Sequence, residues 1–446
     1  MKLFTFPRGG VHPPDHKAPS AHQSIRLLPL PGQVAIAMNQ HLGKPAKCLV
    51  KKGQDLTVGE KIGEADGFIS ASVHSSVAGK VSRVDPAMTA VGTWADTVFI
   101  DVDNEATAAG YRAFTNQTPA DWRQMDSREM IGKIQVAGIV GMGGAAFPTN
   151  VKLSPPPDKT IDTILINGAE CEPYLTADHQ LMLERSADLL AGIGIMQRIL
   201  GIENTWIGIE ANKPDAIAVL EKLITDGNHP GIRVAPLKTR YPQGGEKQLI
   251  TAVTGRVVPS GKLPFEVGCL VQNTGTAIAI YEAVCLDKPL IDRITTITGF
   301  VKQPGNFRIP IGVAFDHAID SGAGGFIDAG RVRAVINGGP MMGKTVRTID
   351  IGTMKGTSGI LVLADTDYNT KPEGPCIRCG RCIDGCPMGL MPTSLALHAE
   401  FNKSAGLKDV MDCIECGTCS YVCPTHRQLV HWLRIGKTIF RNADRS

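Results

Sequence analysis

The spacing of apolar and polar residues divides the chain into regions that predict different kinds of structure. Up to about residue 125, short apolar runs such as QVAIAM and TVFIDV alternate with glycine and proline, which predicts short β-strands. From about 126 to 290, strand-like and helix-like segments alternate; residues 163–167 predict a buried strand and residues 177–200 a helix. Strands that alternate with helices of this size are typical of βαβ units on a parallel sheet.

The last third of the chain shows two further patterns. Residues 291–365 return to short strands, with a turn predicted at 303–306 between two β-rich segments. From residue 366 onward cysteines become frequent, and a basic, helix-like tail follows at about 426–442. The chain is therefore expected to be a multidomain α+β protein, with boundaries near residues 125, 290 and 365.

Two stretches within the first region, 51–59 and 70–81, are similar to the halves of the barrel-sandwich hybrid of lipoyl- and biotinyl-carrier domains. Such carriers present a modified lysine on a hairpin tip. The matching tip here is His74-Ser75-Ser76, which offers no lysine. We therefore expect a structural or docking role for this hairpin and no covalently attached cofactor.

The composition argues against several classes of function and location. The 446 residues, 43% hydrophobic and 20% charged, are typical of a globular protein of about two to four domains. A net charge of +3 gives no argument for nucleic-acid binding, which needs a clustered basic face. The sequence has no run of about 18 apolar residues, and prolines and glycines interrupt its beginning, so neither a membrane span nor a secretory leader is expected. The protein is expected in the cytosol, where thiols stay reduced.

Eight of the 12 cysteines lie between Cys376 and Cys423, in two runs with the same spacing. Each run reads C-x-x-C-x-x-C-x-x-x-C-P, which is the spacing of bacterial two-cluster ferredoxins. In that arrangement the first three cysteines of a run bind one [4Fe–4S] cluster, and the fourth binds the other. Two structural zinc sites are the alternative, although zinc commonly uses separated Cys-x-x-Cys pairs. The predicted ligands are Cys376, Cys379, Cys382 and Cys423 for one cluster, and Cys413, Cys416, Cys419 and Cys386 for the other.

A glycine-rich segment, GMGGAAFP at residues 141–148, is a candidate ligand site. Small residues let the backbone approach a flat ring or a phosphate, and they leave N–H groups free to donate. The segment alone is weak evidence, because glycine clusters more often serve turns. It also lacks the G-x-G-x-x-G pattern, because no strand clearly leads into it.

Four companion segments strengthen the prediction of a ligand site. They are NGAECEP at 167–173, YPQGGE at 241–246, KLPF at 262–265 and VQNTGT at 271–276. In order and spacing, these and the glycine-rich segment resemble the flavin- and NADH-binding 51-kDa subunit of respiratory complex I. The chain departs from that family at Met142, Ala169 and Gly245, where the family has Arg, Asp and Glu.

That resemblance implies two sets of contacts, with non-covalent FMN and with NAD(H). A lysine suits a phosphate or another negative part of the flavin, and a phenylalanine stacks on a base or nicotinamide ring. The residues that would line FMN are Gly141, Gly143, Gly144, Lys152, Asn167, Glu170, Tyr241, Gly244, Val271, Gln272, Asn273 and Thr276. Those that would contact NAD(H) are Phe147, Glu172, Glu246, Lys262 and Phe265.

The order of all these regions, including the opening FPRGGVHPPDHK, resembles the C-subunit family of the Rnf complex, an ion-translocating ferredoxin:NAD oxidoreductase of bacterial membranes. The resemblance implies four domains. They are a barrel-sandwich β-domain (1–125), a Rossmann-like α/β flavin and NADH core (126–290), a soluble-ligand-binding β-grasp domain (291–365) and a helical two-cluster ferredoxin domain with its tail (366–446).

The resemblance further implies a peripheral subunit at the cytoplasmic face of the inner membrane. Electrons would pass between NAD(H), FMN and the two clusters, then to membrane and iron–sulfur subunits of the same complex, and indirectly to ferredoxin. A flavin links two-electron hydride transfer to one-electron clusters, so we expect no general acid–base residue and name none as catalytic.

Two alternatives remain. A cobalamin reductase of a propanediol-degrading compartment shares these modules, but its cluster motifs lie between the other domains rather than at the end. The other alternative is a scaffold without flavin that only relays electrons or docks partners. It remains open because Ala169 and Gly245 remove polar contacts from the predicted flavin pocket.

Overall fold

The computed structural model describes residues 3–227, 229–367 and 371–443. Within its first hundred residues, glycine and proline interrupt the apolar runs, so most strands are short. The two long strands pair antiparallel and place Val81 opposite Ile100, both fully buried, in the core of this region. The elements are β1 (Arg26–Leu27), β2 (Gln33–Ala37), β3 (Lys47–Cys48), β4 (Asp55–Leu56), β5 (Lys61–Glu64), β6 (Val73–His74), β7 (Gly79–Met88), β8 (Trp94–Val102) and α1 (Asn104–Asn116).

Strands β2 to β8 form two small sheets, in the orders β2-β8-β7-β4 and β3-β5-β6. The predicted tip lies at the end of β6, and His74, Ser75 and Ser76 are all buried there. The Ser76 hydroxyl donates to the carbonyl of Ile311, at 2.5 Å. The tip is therefore a contact between two regions of the same chain.

A four-stranded parallel sheet forms the centre of the protein. Ile164, Leu165 and Ile166 are all buried, as expected for a parallel strand that helices cover on both faces. Its elements are α2 (Ser127–Val136), α3 (Thr149–Lys152), β9 (Thr163–Asn167), α4 (Ala177–Glu184), α5 (Ser186–Leu200), β10 (Thr205–Glu210), α6 (Pro214–Asp226), β11 (Ile232–Leu237), α7 (Glu246–Thr254), β12 (Cys269–Asn273) and α8 (Thr274–Leu286).

The strand order β11-β10-β9-β12 creates a crevice. From β9 the chain builds outward through β10 and β11, and then it crosses back to place β12 on the other side of β9. In open α/β sheets, ligands bind at the carboxyl ends of the strands beside such a reversal. The carboxyl ends of β9 and β12 are therefore the expected ligand position.

The helix predicted over residues 177–200 is two helices in the structure. Arg185 separates α4 from α5 with φ −125° and ψ 31°, outside the helical range. Its guanidinium pairs with Asp188 in α5 and with Glu282 in α8, the latter at 3.1 Å. The apolar periodicity continues through the break, so periodicity alone did not reveal it.

A six-stranded mixed sheet follows, in the order β1-β14-β13-β17-β15-β16. The predicted turn joins two antiparallel strands, with Ile297 opposite Gly305. Strand β1 adds to the edge of this sheet parallel to β14, so the N-terminal region contributes a strand to it. The elements are β13 (Asp292–Gly299), β14 (Gly305–Pro310), α9 (Phe315–His317), β15 (Val332–Asn337), β16 (Lys344–Thr345) and β17 (Gly359–Ala364).

The cysteine region is helical and has a small core of its own, in which Leu395, Leu407, Val410 and Leu433 are buried. The tail helix packs its apolar side into this core, and Arg434 and Lys437 pair with Glu415. Its helices are α10 (Arg381–Asp384), α11 (Pro392–Glu400), α12 (Thr418–Tyr421) and α13 (Leu429–Ala443). None of the helices in the described ranges combines the length and apolar character that a membrane span needs.

Residues 3–17, which we call the N-terminal strap, tie these regions together. Phe4 bridges to Leu237 at the end of β11, and Val11 bridges to Tyr241. Gly10 donates its N–H to the carbonyl of Gly385 in the cysteine region, at 2.8 Å. The strap therefore runs between the central sheet and the cysteine region.

Candidate cofactor sites

The crevice between β9 and β12 is bordered by two asparagines, because Asn167 and Asn273 end the two strands opposite each other. The Asn167 amide donates to the carbonyl of Gly244, at 2.7 Å. The Asn273 side chain accepts from the N–H groups of Gly275 and Thr276 and so caps α8. These bonds bring predicted residues from three segments to one edge of the sheet.

The glycine-rich segment closes on itself over this edge. Gly141 donates its N–H to the carbonyl of Phe147, at 2.8 Å, and Met142 donates to the Thr276 hydroxyl, at 2.9 Å. A Cβ on Gly143 would lie 3.0 Å from that of Asn273, whereas Gly144 has open space around it. The segment therefore offers an exposed backbone beside the crevice.

Lys152 lies directly after this segment, at the end of α3. Its ammonium donates to the carbonyl of Val271, at 2.6 Å, and pairs with Glu246, at 2.8 Å. The side chain of Lys152 is half-buried. The structure thus brings together three more of the predicted contacts, which come from α3, β12 and α7.

Several buried polar groups in this part of the molecule have no hydrogen-bond partner among the described residues. They include the amide nitrogen of Gln272, one residue before the end of β12, and the hydroxyl of Thr149, at the start of α3. Buried polar groups are nearly always satisfied, so such groups indicate a missing ligand or water. An exposed glycine backbone, a lysine and unpaired donors fit the polar ring edge and phosphate of FMN. A bound FMN would supply the exchange between hydride transfer and one-electron transfer.

Two predicted contacts have other partners in the structure. The Glu170 carboxylate accepts from the N–H groups of Asp178 and His179, and so caps α4. Glu172 accepts from the N–H groups of Met341, at 3.1 Å, and Met342, at 2.7 Å. Burial raises the pKa of Glu172 to about 7. The roles of Glu170 and Glu172 in cofactor binding stay predictions.

Tyr241 lies between the crevice and the cysteine region. Its ring is fully buried, and its hydroxyl donates to the carbonyl of Cys416, at 2.8 Å. Lys262 and Phe265, in contrast, precede the amino end of β12, and Lys262 is exposed while Phe265 is half-buried. Their contact with NAD(H) also stays a prediction.

The two cysteine runs fold into the same loop twice. Arg378 and Glu415 occupy equivalent positions, and both have a φ of 56°. Each donates its backbone N–H to the sulfur two residues before it, at 3.4 Å for Cys376 and 3.3 Å for Cys413. Backbone N–H groups directed at sulfur are a usual feature of iron–sulfur sites, where they influence the reduction potential.

The structure brings cysteines of the two runs close together, and their assignment to two clusters stays a prediction. One cavity is lined by Cys386, Cys413, Cys416 and Cys419. Cys423, from the second run, lies close to the first: burial raises the pKa of Cys382, and the nearby Cys376 and Cys423 add to the rise. Thiolates in two such groups suit iron–sulfur clusters. We call the first-run group with Cys423 the outer centre, and the second-run group with Cys386 the inner centre.

The inner centre lies against the central sheet and its strap. Besides Tyr241, Met341 approaches it, because a Cβ on Gly417 would lie only 2.7 Å from the Met341 carbonyl. Cys416 and Cys419 are buried, whereas Cys376 and Cys379 of the outer centre are exposed. The predicted flavin crevice therefore faces one centre through buried contacts.

Several residues around these sites were not found from the sequence. Lys17 is buried, and its ammonium donates to three carbonyls of the 170–175 loop, including Glu170 and Glu172 at 2.9 Å each. Arg293 donates to the Met142 carbonyl in the glycine-rich segment, and Asp178 accepts from the Asn273 amide. Lys17 belongs to the opening segment FPRGGVHPPDHK, which resembles the family. No local pattern, however, indicated what Lys17 contacts.

Four family models match the chain. They are the RnfC barrel sandwich hybrid domain (residues 4–105), the Nuo51 FMN-binding domain (134–282), the SLBB domain (294–345) and a 4Fe-4S dicluster domain (375–427). These matches confirm the predicted fold class, which has a barrel-sandwich, a flavin-binding-type, a β-grasp-type and a two-cluster region in this order.

Curated relatives match over most of the chain. The C subunit of the proton-translocating ferredoxin:NAD(+) oxidoreductase complex of Clostridium ljungdahlii is 45% identical over 87% of this chain and 83% of its own length. The C subunit of the Na(+)-translocating complex of Acetobacterium woodii is 43% identical over 98% and 97%. The C subunit of the ion-translocating complex of Yersinia pestis is 39% identical over 88% of this chain and 62% of its own length.

A solved structure with a similar fold is the NAD+-reducing [NiFe]-hydrogenase in its air-oxidized state. The TM-score is 0.51 at 16% identity, and the match covers 72% of this chain and 64% of that chain. At this identity the likeness concerns the fold alone.

Proposed function

The chain belongs to the C-subunit family of ion-translocating ferredoxin:NAD oxidoreductase complexes, and we propose that it passes electrons between NAD(H), FMN and two [4Fe–4S] clusters within such a complex. The proposal rests on one observation: the inner centre contacts the same part of the protein that carries the crevice. The family matches fall within the proposed domains 1–125, 126–290, 291–365 and 366–446, and so support that division.

The burial of the two centres supports an order of electron transfer. The inner centre contacts the core that carries the crevice, through Tyr241 and Met341. The outer centre has no such cover at Cys376 and Cys379. We infer that electrons from NADH pass through FMN to the inner centre, then to the outer centre, and leave there.

This chain's own residues would mainly hold and orient the cofactors. The exposed glycine backbone would receive the flavin, Lys152 would neutralise negative charge on it, and Gln272 would donate to its ring edge. Phe147, Glu172, Glu246, Lys262 and Phe265 remain the proposed contacts of NAD(H). No residue is assigned a general acid–base role, because hydride transfer between two rings needs proximity and exclusion of water.

The surface around the outer centre supports contact with a redox partner. Ile377 is 60% exposed and lies between two exposed ligand cysteines, and Met391 is 56% exposed. Thr393, two residues beyond Met391, has its hydroxyl 3.5 Å from the sulfur of Cys376. We propose that another iron–sulfur subunit docks here, that ferredoxin is reached through it, and that the chain lies peripherally at the cytoplasmic face of the inner membrane.

The test is anaerobic purification followed by cofactor analysis and a visible spectrum before and after NADH. We expect close to one FMN per chain, released by acid, and iron for two four-iron clusters. NADH should bleach both the flavin and the cluster absorbance. Stoichiometric zinc, or a chain that binds no flavin and shows no response to NADH, would contradict the proposal.

A further inference from the structure

A buried arginine from the β-grasp region reaches the glycine-rich segment. Arg293, the second residue of β13, is 6% exposed. Its Nη2 donates to the carbonyl of Met142, at 2.6 Å, and its Nε donates to the carbonyl of Thr357, at 3.2 Å. The guanidinium is therefore held at a defined position beneath the segment.

The contact fixes one peptide of the segment on its buried side. The Met142 N–H donates to Thr276, while the Met142 carbonyl accepts from Arg293. In a planar trans peptide the C=O and the next N–H point in opposite directions. Because the Met142 carbonyl points at Arg293, the N–H of Gly143 points the other way, and Gly143 is exposed. Arg293 thus holds the Gly143 N–H so that it points away from the guanidinium.

The charge of Arg293 has one nearby counter-charge, Asp178 in the first turn of α4. Burial lowers the pKa of Arg293 to about 10, and Asp178 opposes this shift. Burial raises the pKa of Asp178 to about 6, while Arg293 and a 2.6 Å hydrogen bond from Asn273 act in the other direction. The nearby Glu170 adds to the rise in the pKa of Asp178. Arg293 and Asp178 both contact residues predicted to line FMN or their neighbours, Met142 and Asn273.

Resting on the proposed FMN site, we propose that Arg293 is a positioning residue that aims the Gly143 N–H at the flavin and places a fixed positive charge beside it, with Asp178 as the opposing charge. A bound FMN would accept a hydride from the broken C–H bond of NADH, would gain negative charge, and would leave NAD+ as the product. A nearby cation favours that reduced state, and a nearby carboxylate disfavours it. The guanidinium reaches the segment at Met142, where the complex I subunit that the chain resembles has Arg.

The test is the midpoint potential of bound FMN in the full chain, measured by anaerobic titration of the flavin absorbance. Arg293→Met should lower the potential, Arg293→Lys should keep it closer to wild type, and Asp178→Asn should raise it. Arg308→Met is the matched control. Arg308 is also largely buried and pairs with Asp292, at 2.6 Å, but it lies over Tyr111 of α1, so the flavin potential should not change.

Opposite shifts in the Arg293→Met and Asp178→Asn variants would support an electrostatic role. A structural role would weaken FMN retention in both variants without opposite shifts, and that result would overturn the inference, as would unchanged potentials in both. If Arg293→Met fails to fold, Asp178→Asn and Arg293→Lys still decide between these results. A wild-type chain without FMN would overturn the proposed function itself, whereas FMN-loaded variants with wild-type potentials would overturn only the role of Arg293.

Discussion

The two cysteine loops have the same spacing and nearly the same backbone, but opposite surroundings. Arg378 and Glu415 share a φ of 56°, and the following glycines, Gly380 and Gly417, have φ of 78° and 81°. Yet a Cβ on Gly380 would meet nothing within 4 Å, whereas one on Gly417 would meet the Met341 carbonyl. The cysteine motif therefore determines the loop, and the rest of the chain determines which loop is buried.

The solvent exposure of each centre determines whether it can exchange electrons directly with another protein. A buried cluster is reached only through the protein that covers it, and a surface cluster can meet another protein. The equivalent positions Arg378 and Glu415 also differ in charge, and Glu415 is neutralised by Arg434 and Lys437. Since charge and solvent exposure set cluster potentials, the two centres should differ in potential as well as in access.

The largest effect should come from removing one ligand from each loop. Cys419→Ala should abolish reduction of the outer centre by NADH, because the inner centre would be lost from the route. Cys379→Ala should leave NADH reduction of the inner centre intact. Low-temperature EPR of the NADH-treated proteins would measure both effects, and equal loss from either substitution would contradict the proposed order.

Gly9→Ala should damage the inner centre selectively. Gly9 has a φ of 66°, and a Cβ there would lie 2.4 Å from the carbonyl carbon of Cys386. The strap or the ligand loop must move to relieve this clash. Gly53→Ala is the matched control, because Gly53 has a φ of 85° but nothing within 4 Å. The control should lose only about 1–2 kcal/mol of stability from the left-handed backbone. Iron content and thermal unfolding would show whether the two variants differ as expected.

The inner loop, which is the cysteine loop of the inner centre, should also be the one whose stability depends on pH. Met341, which lies against Gly417, donates with Met342 to Glu172, whose pKa is raised from 4.5 to about 7 by burial. Between these values the unfolded chain releases a proton that the folded chain keeps. The free energy of unfolding should therefore fall as pH rises through this window, by at most about 3 kcal/mol.

The measurement is the hydrogen-exchange protection factor of the Met341 and Met342 amides at several pH values, which corrects for the intrinsic pH dependence of exchange. Glu172→Gln has no ionisable group at that position and should remove the pH dependence of these protection factors, while those of Arg378 and Gly380 at the outer centre should be the same in both proteins. A persistent pH dependence in Glu172→Gln would exclude Glu172 as its source.

The smallest expected effect is that of Tyr241→Phe. The substitution keeps the buried ring and removes only the hydroxyl that donates to the Cys416 carbonyl. A hydrogen bond of this kind contributes about 1 kcal/mol. Protease sensitivity should rise around the inner loop and stay unchanged around the outer one. An equal rise in both loops would mean that the hydroxyl stabilises the whole cysteine region.

Much of the fold could be predicted because it is encoded locally. The central strand Thr163–Asn167 was predicted from its apolar run, and the structure confirms it. The cysteine spacing likewise dictates two tight loops. The break at Arg185 was missed because its cause is ion pairing with a distant helix, which periodicity does not record.

The candidate sites were harder to predict, since they depend on contacts between distant segments. Resemblance placed Asn273 and Lys152 near the glycine-rich segment, and they lie there. It could not show that Glu170 and Glu172 have backbone partners elsewhere. Nor did any pattern single out Arg293, which comes from a different sheet and reaches the site only because the tertiary structure brings β13 beneath it.

The N-terminal strap has a consequence for biosynthesis. Gly9 packs against Cys386, 377 residues later in the chain. At about 5–20 residues per second, a ribosome needs roughly 20–75 s to make that intervening stretch. The strap must therefore wait for a segment made much later before it can dock. Throughout that interval the strap is without the loop that it covers in the folded protein, so it is accessible to a chaperone.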